Sequence, residues 1–496
     1  MRTSSGAIAV QIVEKNHGTR RIVEHLGSAH TPEDVALLKA AGRQKLAGSQ
    51  PELDLGLTPV PGRGGPLPMR LSMGPLWTCL NLAFDALRLG ETAGADDVFR
   101  QLVLARIIEP TSKADMPRVL AEAGVGAVSY PTIKRRLPVF ATDTFRDDLA
   151  RVLASNARLG PAALVLYDVT TLYYEAHQGD GFRESGFSKE RRLEPQITVG
   201  LLTDASGFPL RVEAFEGNKA ETATMLPTLE AFMTAHGLSD VTVVADAGMV
   251  SETNKKAIER AGLGFILGAK TPKIPTVIEQ WREEHPGEPI PDGHVFTQRW
   301  PAGPTGNRRD HVFYYRYSHD NARRTLKGID AQVAKAENAV AGRAPVKRNR
   351  FVTLTGAEKT VNRDLENKAR ALAGIKGYVT NLTSESPDYV IGAYHRLLQV
   401  EKSFRMSKSD LKARPIYARV RDSIDAHLQI VIAALAISRW IEETTGWSIR
   451  RFVQTLRVYR DGIITIDGHD IAVAVPLEPH AATAIEAIKT RAAAGH

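Results

Sequence analysis

The sequence predicts an α/β protein with a mixed central sheet, entered through an all-helical stretch. Three observations carry this. From Gly74 to Asn156 the apolar spacing is helical throughout. Between Ala163 and Leu267, consecutive apolar strand runs give way to an alternation of helix and strand. From Thr271 to Ile375 that rhythm stops, which predicts an inserted subdomain.

Taken in order, Ala7 to Val13 and Arg20 to Leu26 read as strands, and Thr31 to Leu46 as a helix. Thr31-Pro32-Glu33-Asp34 marks its start with a capping hydroxyl, a first-turn proline and acids at the positive end of the dipole. Residues 1–60 are therefore expected to form a small α+β unit. The Pro- and Gly-rich run from Ser49 to Pro68 reads as a linker. In the helical region, 61–156, Trp77, Leu80, Phe84 and Leu87 approximate a helical stripe. Met116 to Ala123, Gly124-Val125-Gly126 and Ser129 to Leu137 then read as helix, turn and helix. The second helix carries Lys134, Arg135 and Arg136. Such a helix suits a DNA groove and equally suits the solvated face of an ordinary hairpin.

The apolar run Ala163 to Leu166 enters Tyr167-Asp168, and Ile197 to Leu202 and Leu210 to Phe215 are strands around the turn Asp204-Ala205-Ser206-Gly207. A helix over Glu221 to His236 ends at Gly237. Val241 to Ala245 is a strand running into Asp246, Ser251 to Ala261 a helix, and Phe265 to Leu267 a strand. The inserted residues 271–375 hold a Pro-rich turn region, a strand over Val312 to Tyr317 and a long charged helix over Ala322 to Val340. Gly377 to Leu382 returns as a strand, followed by helices over Pro387 to Leu411 and Val420 to Glu443. The core thus comprises 157–270 and 376–450, and 451–496 is a tail of short strands and an alanine-rich helix.

Bulk properties narrow the function. Lys plus Arg total 64 against 56 Asp plus Glu, giving a net charge of +8 and a pI near 9.4. That balance accommodates a polyanion such as nucleic acid, as it does many other partners. The single cysteine, Cys79, excludes an internal disulfide and a cysteine-rich zinc site, and fits a reducing cytoplasm. The apolar run within Met1 to Val10 reads as too short for a secretory leader and no uninterrupted apolar run of about 18 residues appears, so a soluble cytoplasmic protein without membrane contact is expected. Ile430 to Ile437 reads as a buried helix segment. Absence of a P-loop and of His-Glu-x-x-His excludes a nucleotide-driven motor and a zinc hydrolase of that type.

Three acids stand where the element type matters. Asp168 and Asp246 each follow an apolar strand run, where a carboxylate is costly unless paired or metal-bound. Two such acids on one sheet suit a hard cation with oxygen ligands, although either alone also reads as the cap of a following turn. The third is Glu401. Tyr394, Glu401 and Lys408 recur every seven residues, which returns a helix to nearly the same face. Arg405, one turn beyond Glu401, leaves open a plain salt-bridged helix face.

The blocks Leu166-Tyr167-Asp168-Val169-Thr170-Thr171, Val244-Ala245-Asp246-Ala247-Gly248-Met249 and Tyr394…Glu401…Lys408 resemble the DDE transposases of bacterial insertion sequences. The resemblance is to the insertion-sequence-four superfamily, nearest its sixteen-thirty-four branch. That group carries a tyrosine, an arginine, the third acid and a lysine at fixed spacing. Tyr394, Glu401 and Lys408 keep it, whereas Leu397 stands at the arginine position, with Arg396 and Arg405 as the nearby candidates to take its part. Thr380-Asn381 and Ile424 to Leu428 also resemble the group.

The resemblance implies a ribonuclease-H-like core interrupted by an α+β insertion and preceded by a helical DNA-binding region. It implies two Mg²⁺ ions, with Mn²⁺ as a substitute, bridged by Asp168 and held separately by Asp246 and Glu401. Tyr394 and Lys408 would grip phosphates beside the cleaved bond. The partners would be terminal inverted repeats and target DNA, held by a homodimer, with cut-and-paste movement through a hairpin end. Trp300, in the insertion, could stack on a displaced base or be an ordinary packed aromatic. Basic runs at Lys134 to Arg136, Lys189 to Arg192, Lys347 to Arg350 and Arg414 to Arg421 suit a DNA track. The rival readings are a metal nuclease of the same core and a DNA-binding protein descended from a transposase.

Overall fold

The computed structural model describes residues 7–16, 19–47, 69–157, 159, 163–174, 179–186, 194–220, 223–236, 241–249, 251–301, 310–343, 345, 349–355, 358–413, 420–466 and 469–494. The expected linker between 49 and 68 lies wholly outside them, as do Lys189 to Arg192, Lys347-Arg348 and Arg414 to Arg419.

At the amino-terminal end, strands β1 (Ile8–Asn16) and β2 (Thr19–Ala29) form an antiparallel hairpin against helix α1 (Pro32–Ala47). Thr31 caps α1 as its sequence predicts, its hydroxyl accepting from the Asp34 amide at 3.2 Å. After β3 (Met69–Ser72) comes the helical region: α2 (Gly74–Ala86), α3 (Asp97–Ile108), α4 (Met116–Glu122), α5 (Tyr130–Phe140) and α6 (Asp143–Asn156). Phe99, Phe140 and Phe145 pack with ring centroids 5.0–5.3 Å apart at its centre. Between α4 and α5 the chain turns at Gly124, whose φ of +83° disfavours any side chain. Ser129 then caps α5.

The central sheet follows. β4 (Ala163–Tyr173), β5 (Gln196–Asp204) and β6 (Pro209–Glu216) are antiparallel neighbours. Then come α7 (Met225–His236), β7 (Val241–Ala245), α8 (Glu252–Arg260) and β8 (Gly264–Ala269), with β4, β7 and β8 parallel. α9 (Thr276–Glu284), β9 (Val295–Trp300), β10 (His311–Tyr317) and α10 (His319–Val340) come next. A hairpin of β11 (Val352–Thr355) and β12 (Glu358–Val361), α11 (Arg363–Ala371) and β13 (Ile375–Thr380) complete this stretch. The sheet order is β6-β5-β4-β7-β8-β13-β10-β9. Its first five strands, three antiparallel and two parallel, are the ribonuclease-H-like arrangement the sequence led us to expect. The stretch 271–375 is not wholly a separate body, because β10 pairs onto β13 and β9 onto β10, widening the sheet. Within this stretch, α10, the β11–β12 hairpin and α11 gather around a small core at Ile329, Val333, Ala336 and Phe351, and α9 packs on β9 and β10 around another at Ile278, Ile290, Phe296 and Tyr315.

Helices α12 (Pro387–His395), α13 (Leu397–Ser409) and α14 (Arg421–Thr445) cover one face of the sheet. The sequence predicts one helix from Pro387 to Leu411, but it breaks at Arg396, where the hydrogen bonds shorten from four residues to three. α14 is long and apolar enough to span a membrane, yet Ile430 to Ile437 are buried within the protein. α15 (Ile449–Leu456), β14 (Asp461–Ile466), β15 (His469–Val473) and α16 (Pro479–Ala494) end the chain. They return to the helical region: β14 pairs with β3 and α16 packs on α2.

A buried charge network locks that return. Arg118 on α4 bonds Glu109 at 2.6 Å and Glu122 at 2.7 Å, Arg457 behind α15 binds Glu109, and His25 on β2 reaches Glu122 at 3.1 Å. Burial opposes the Glu122 charge, but the His25 hydrogen bond and the Arg118 guanidinium outweigh it and draw the carboxyl down to about 2. A depressed carboxyl contributes stability above its ordinary value of 4.5 and loses it as pH falls through about 2. Acid titration of the denaturation midpoint should therefore show a decline over that window, absent in Glu122→Gln. At neutral pH Glu122→Gln should itself cost about 3–5 kcal/mol, as breaking a buried pair does.

Candidate active site

Strand register decides where the first two acids lie. β7 is buried along its whole length and stops at Ala245, which pairs with Tyr167 of β4. β4 continues to Tyr173 on the strength of its pairing with β5 alone. Asp168 is therefore mid-strand, not terminal as its sequence context predicts, and it stands where the neighbouring strand ends. Asp246 is the residue after that end. The two carboxylates lie on or just past adjacent parallel strands and on the same sheet face, since Leu166 and Val244 are paired and each acid stands two residues further on. Asp168 takes the Val169 amide on its Oδ1 at 2.8 Å, and Asp246 is exposed.

Helices α12 and α13 bring the rest to that face. The buried Ser403 hydroxyl donates to the Gly207 carbonyl at 2.8 Å, fastening α13 to the β5–β6 turn, where Gly207 has a φ of +85°. Asp204 shapes that turn by accepting from the Ser206 and Phe208 amides at 2.8 and 2.9 Å. On α12, Tyr394 is 5% exposed and its hydroxyl donates to Asp246 Oδ1 at 2.5 Å. Burial, then the Asp246 hydrogen bond and the charges of Asp246 and Glu401, push the phenol above its ordinary acidity range. Gly268 on β8 makes this fit possible. A Cβ there would meet the Tyr394 hydroxyl at 2.7 Å and the Ala247 amide at 2.9 Å.

Asp168, Asp246 and Glu401 all line one cleft of about 370 Å³, with Tyr167, Tyr394, His395, Leu397, Leu398 and Lys376. The trio singled out from the sequence is thus assembled from β4, the end of β7 and α13. All three donors are carboxylates, which suits a hard divalent cation. Among the described residues no three such side chains converge closely enough to share an ion.

Of the other predicted residues, Tyr394 lines this cleft and the rest lie outside it. Tyr394 is turned to Asp246 and is not open to solvent. Lys408 lies farther along α13 and lines a second, narrow cavity with Thr170 and Leu172 of β4. Arg396 and Arg405 are exposed and line neither space; their charges act on Tyr389 and Asp410. Trp300 does not approach the acids. It ends β9 opposite His311, at the far end of the sheet, and packs against Phe313 at 5.5 Å on the other face. That edge placement follows from strand pairings the local sequence does not contain. Lys134 and Arg135 are exposed on α5, whereas Arg136 is tied to Asp96 at 2.6 Å and to the Gly94 carbonyl at 3.0 Å. Sequence reading missed Lys376 and His395. Lys376 is a lone basic residue at the start of a strand, so no run or spacing marks it. Burial, then Lys376 and Arg316, pull the His395 pKa down.

Comparison with known proteins places this site in a family. A family model described as "Transposase DDE domain" matches residues 160–437, more than half of the chain and all three acids. A solved structure of a piggyBac transposase synaptic complex with hairpin DNA, determined by cryo-EM, aligns with a TM-score of 0.41 and 10% identity, covering 78% of this chain and 79% of that one. No curated protein matches the chain.

Because Gly268 faces both the phenol and the Ala247 amide, Gly268→Ala should displace Tyr394 from Asp246. We expect a loss of about 1–3 kcal/mol in thermal or chemical denaturation, the usual cost of overpacking. An unchanged midpoint would show that the α12 contact is looser than its distances imply.

Proposed function

The chain belongs to the DDE transposase family, and from that premise we propose that it cuts DNA at the ends of a mobile element and joins them to a target, with Asp168, Asp246 and Glu401 as the catalytic acids. The observation that carries this reading is that these three side chains, from β4, the end of β7 and α13, line a single cleft. It is further supported by the family match, which spans all of them.

In this reading the three carboxylates hold two divalent ions, Mg²⁺ with Mn²⁺ as a substitute. When bound, such ions activate a water or a 3′-hydroxyl and stabilise the leaving oxygen of an in-line displacement. Tyr394 acts through Asp246. By donating to Oδ1 it fixes the carboxylate's rotation and leaves the second oxygen for a cation. Lys134 and Arg135, on the exposed side of α5, are suited to phosphate contact, and Lys408 to a phosphate farther along β4. Terminal inverted repeats held by two copies of the chain, a bacterial insertion sequence as the element, and a hairpin end as intermediate complete the reading.

The test is metal-dependent cleavage of a duplex carrying the DNA that flanks the coding sequence. Wild type should cut in Mg²⁺ or Mn²⁺ and lose activity in EDTA. Glu401→Gln, Asp168→Asn and Asp246→Asn should each be slower by about 10²–10³-fold or more, the scale expected when a group stabilising transition-state charge is lost. Joined products with a target plasmid mark a transposase, and cleavage alone marks a nuclease. If Glu401→Gln cuts as well as wild type, the assignment of the trio is wrong.

A further inference from the structure

The cations nearest the acids come from three distant parts of the sequence. Lys376, on β13, lines the acid cleft itself. Arg316 on β10 is its cross-strand partner. On the other side, Lys270 follows Ala269 of β8, whose partner is Gly377, so Lys270 continues the same row. All three are exposed. The row runs across the end of the sheet at which β7 gives way to Asp246, since β8 and β10 finish there and β13 begins there.

These charges are arranged against their own electrostatics. Like charges on neighbouring strands repel, and a sheet that only needed to be stable would separate them or pair each with an acid. Among the described residues, Lys270, Arg316 and Lys376 form no ion pair, although Asp246 and Glu401 stand in the cleft that Lys376 lines. Lys376 instead sits over aromatic faces, its Nζ 4.6 Å from the Tyr394 ring centre and 5.9 Å from that of Tyr378. The Lys376 and Arg316 charges both act on His395 in the cleft wall, so both fields reach the site. By contrast, the arginines beside the third acid in sequence, Arg396 and Arg405, do not line it.

A row of unpaired cations beginning inside a cleft of carboxylates fits one kind of ligand, a chain of negative charges whose reacting unit must sit at the acids. We propose that Lys376, Arg316 and Lys270 form a phosphate-binding row that holds the backbone of the DNA strand next to the bond being cut. This rests on the DNA-cutting reading above. The row touches backbone and not bases, so it adds affinity and register without sequence preference.

The experiment measures binding of the same flanking duplex, and of an unrelated duplex of equal length, by fluorescence anisotropy in EDTA across a salt series. Variants are Lys376→Ala, Arg316→Ala, the double variant and Lys376→Arg, each checked for an unchanged melting temperature. Each phosphate contact contributes about 0.9 to the slope of log K against log salt for duplex DNA. Each alanine should lower that slope by about that much and weaken both duplexes alike, the double variant by about twice as much, and Lys376→Arg should behave as wild type. Slopes unchanged in all the alanine variants would overturn the proposal. Wild type that binds neither duplex would overturn it too. The cleavage assay with Glu401→Gln is read separately: a chain that cuts in a Glu401-dependent manner but keeps its salt slope in the variants refutes the row and spares the reading. A chain that shows the slope losses but no metal-dependent cutting refutes the reading and keeps the row as a DNA contact.

Discussion

The arrangement depends on one mismatch of strand lengths. β4 runs from Ala163 to Tyr173, while its parallel neighbour β7 ends at Ala245, opposite Tyr167. The end of β7 opens a gap in the sheet beside Asp168, and Asp246 is the first residue to leave the ladder at that gap. A longer β7 would pair its backbone past Asp168 and carry Asp246 into the sheet. A shorter one would separate the carboxylates along the strand by about 3.3 Å per residue. Everything else at the site is brought to this opening: α12 by the Tyr394 contact to Asp246, and α13 by the Ser403 contact to the β5–β6 turn. In both helices these polar contacts are set in a large apolar face, and α13 is held further by Lys402 to Glu442 at 3.0 Å and by Arg439 donating to Gln399 at 3.2 Å.

This division explains which parts were legible in the sequence. Asp168 and Asp246 stood out because an acid after an apolar strand run is a local pattern, visible without knowing which strands pair. Even so, the local pattern misplaced Asp168 at a strand end, because the continuation through Thr170 and Leu172 is stabilised by β5, some thirty residues away in sequence. Glu401 was legible through its spacing from Tyr394, and the break at Arg396 does not undo it, since both side chains still reach the same cleft. Lys408 kept the spacing and lies elsewhere along β4. Regular helical spacing sets direction from one axis, and it says nothing about where the facing strand places its own groups.

The illegible parts share a cause. Trp300 was placed by association with the inserted stretch, but β9 joins the sheet through β10, and only those pairings reveal that its indole faces away from the acids. The union of β14 with β3, and of α16 with α2, likewise joins residues separated by almost the whole chain. Charge runs were a poor guide for the same reason. Arg136 belongs to a basic triplet yet is bound to Asp96, whereas Lys270, Arg316 and Lys376 are solitary in sequence and adjacent in space. A run of basic residues on a helix is distributed around its axis. A row across a sheet concentrates charge on one line, and it does so with one residue from each strand.

Two groups of charge in the protein obey opposite rules. Glu109, Glu122, Arg118 and Arg457 are withdrawn from water and each meets an opposite charge, so the cost of desolvation is offset within the fold. Around the cleft, Asp246, Glu401 and Lys376 remain exposed, and Lys376 forms no ion pair with either acid among the described residues. If Lys376 closed on Asp246 or Glu401, the cleft would be neutralised by its own side chains, and a cation or a phosphate would have to displace that pair before binding. Holding Lys376 on the faces of Tyr394 and Tyr378 prevents this, because the ammonium gains attraction from rings that compete with neither ligand. The same tyrosine that orients Asp246 thus keeps a neighbouring cation away from it. One side chain, Tyr394, separates the acidic and basic halves of the site while belonging to neither.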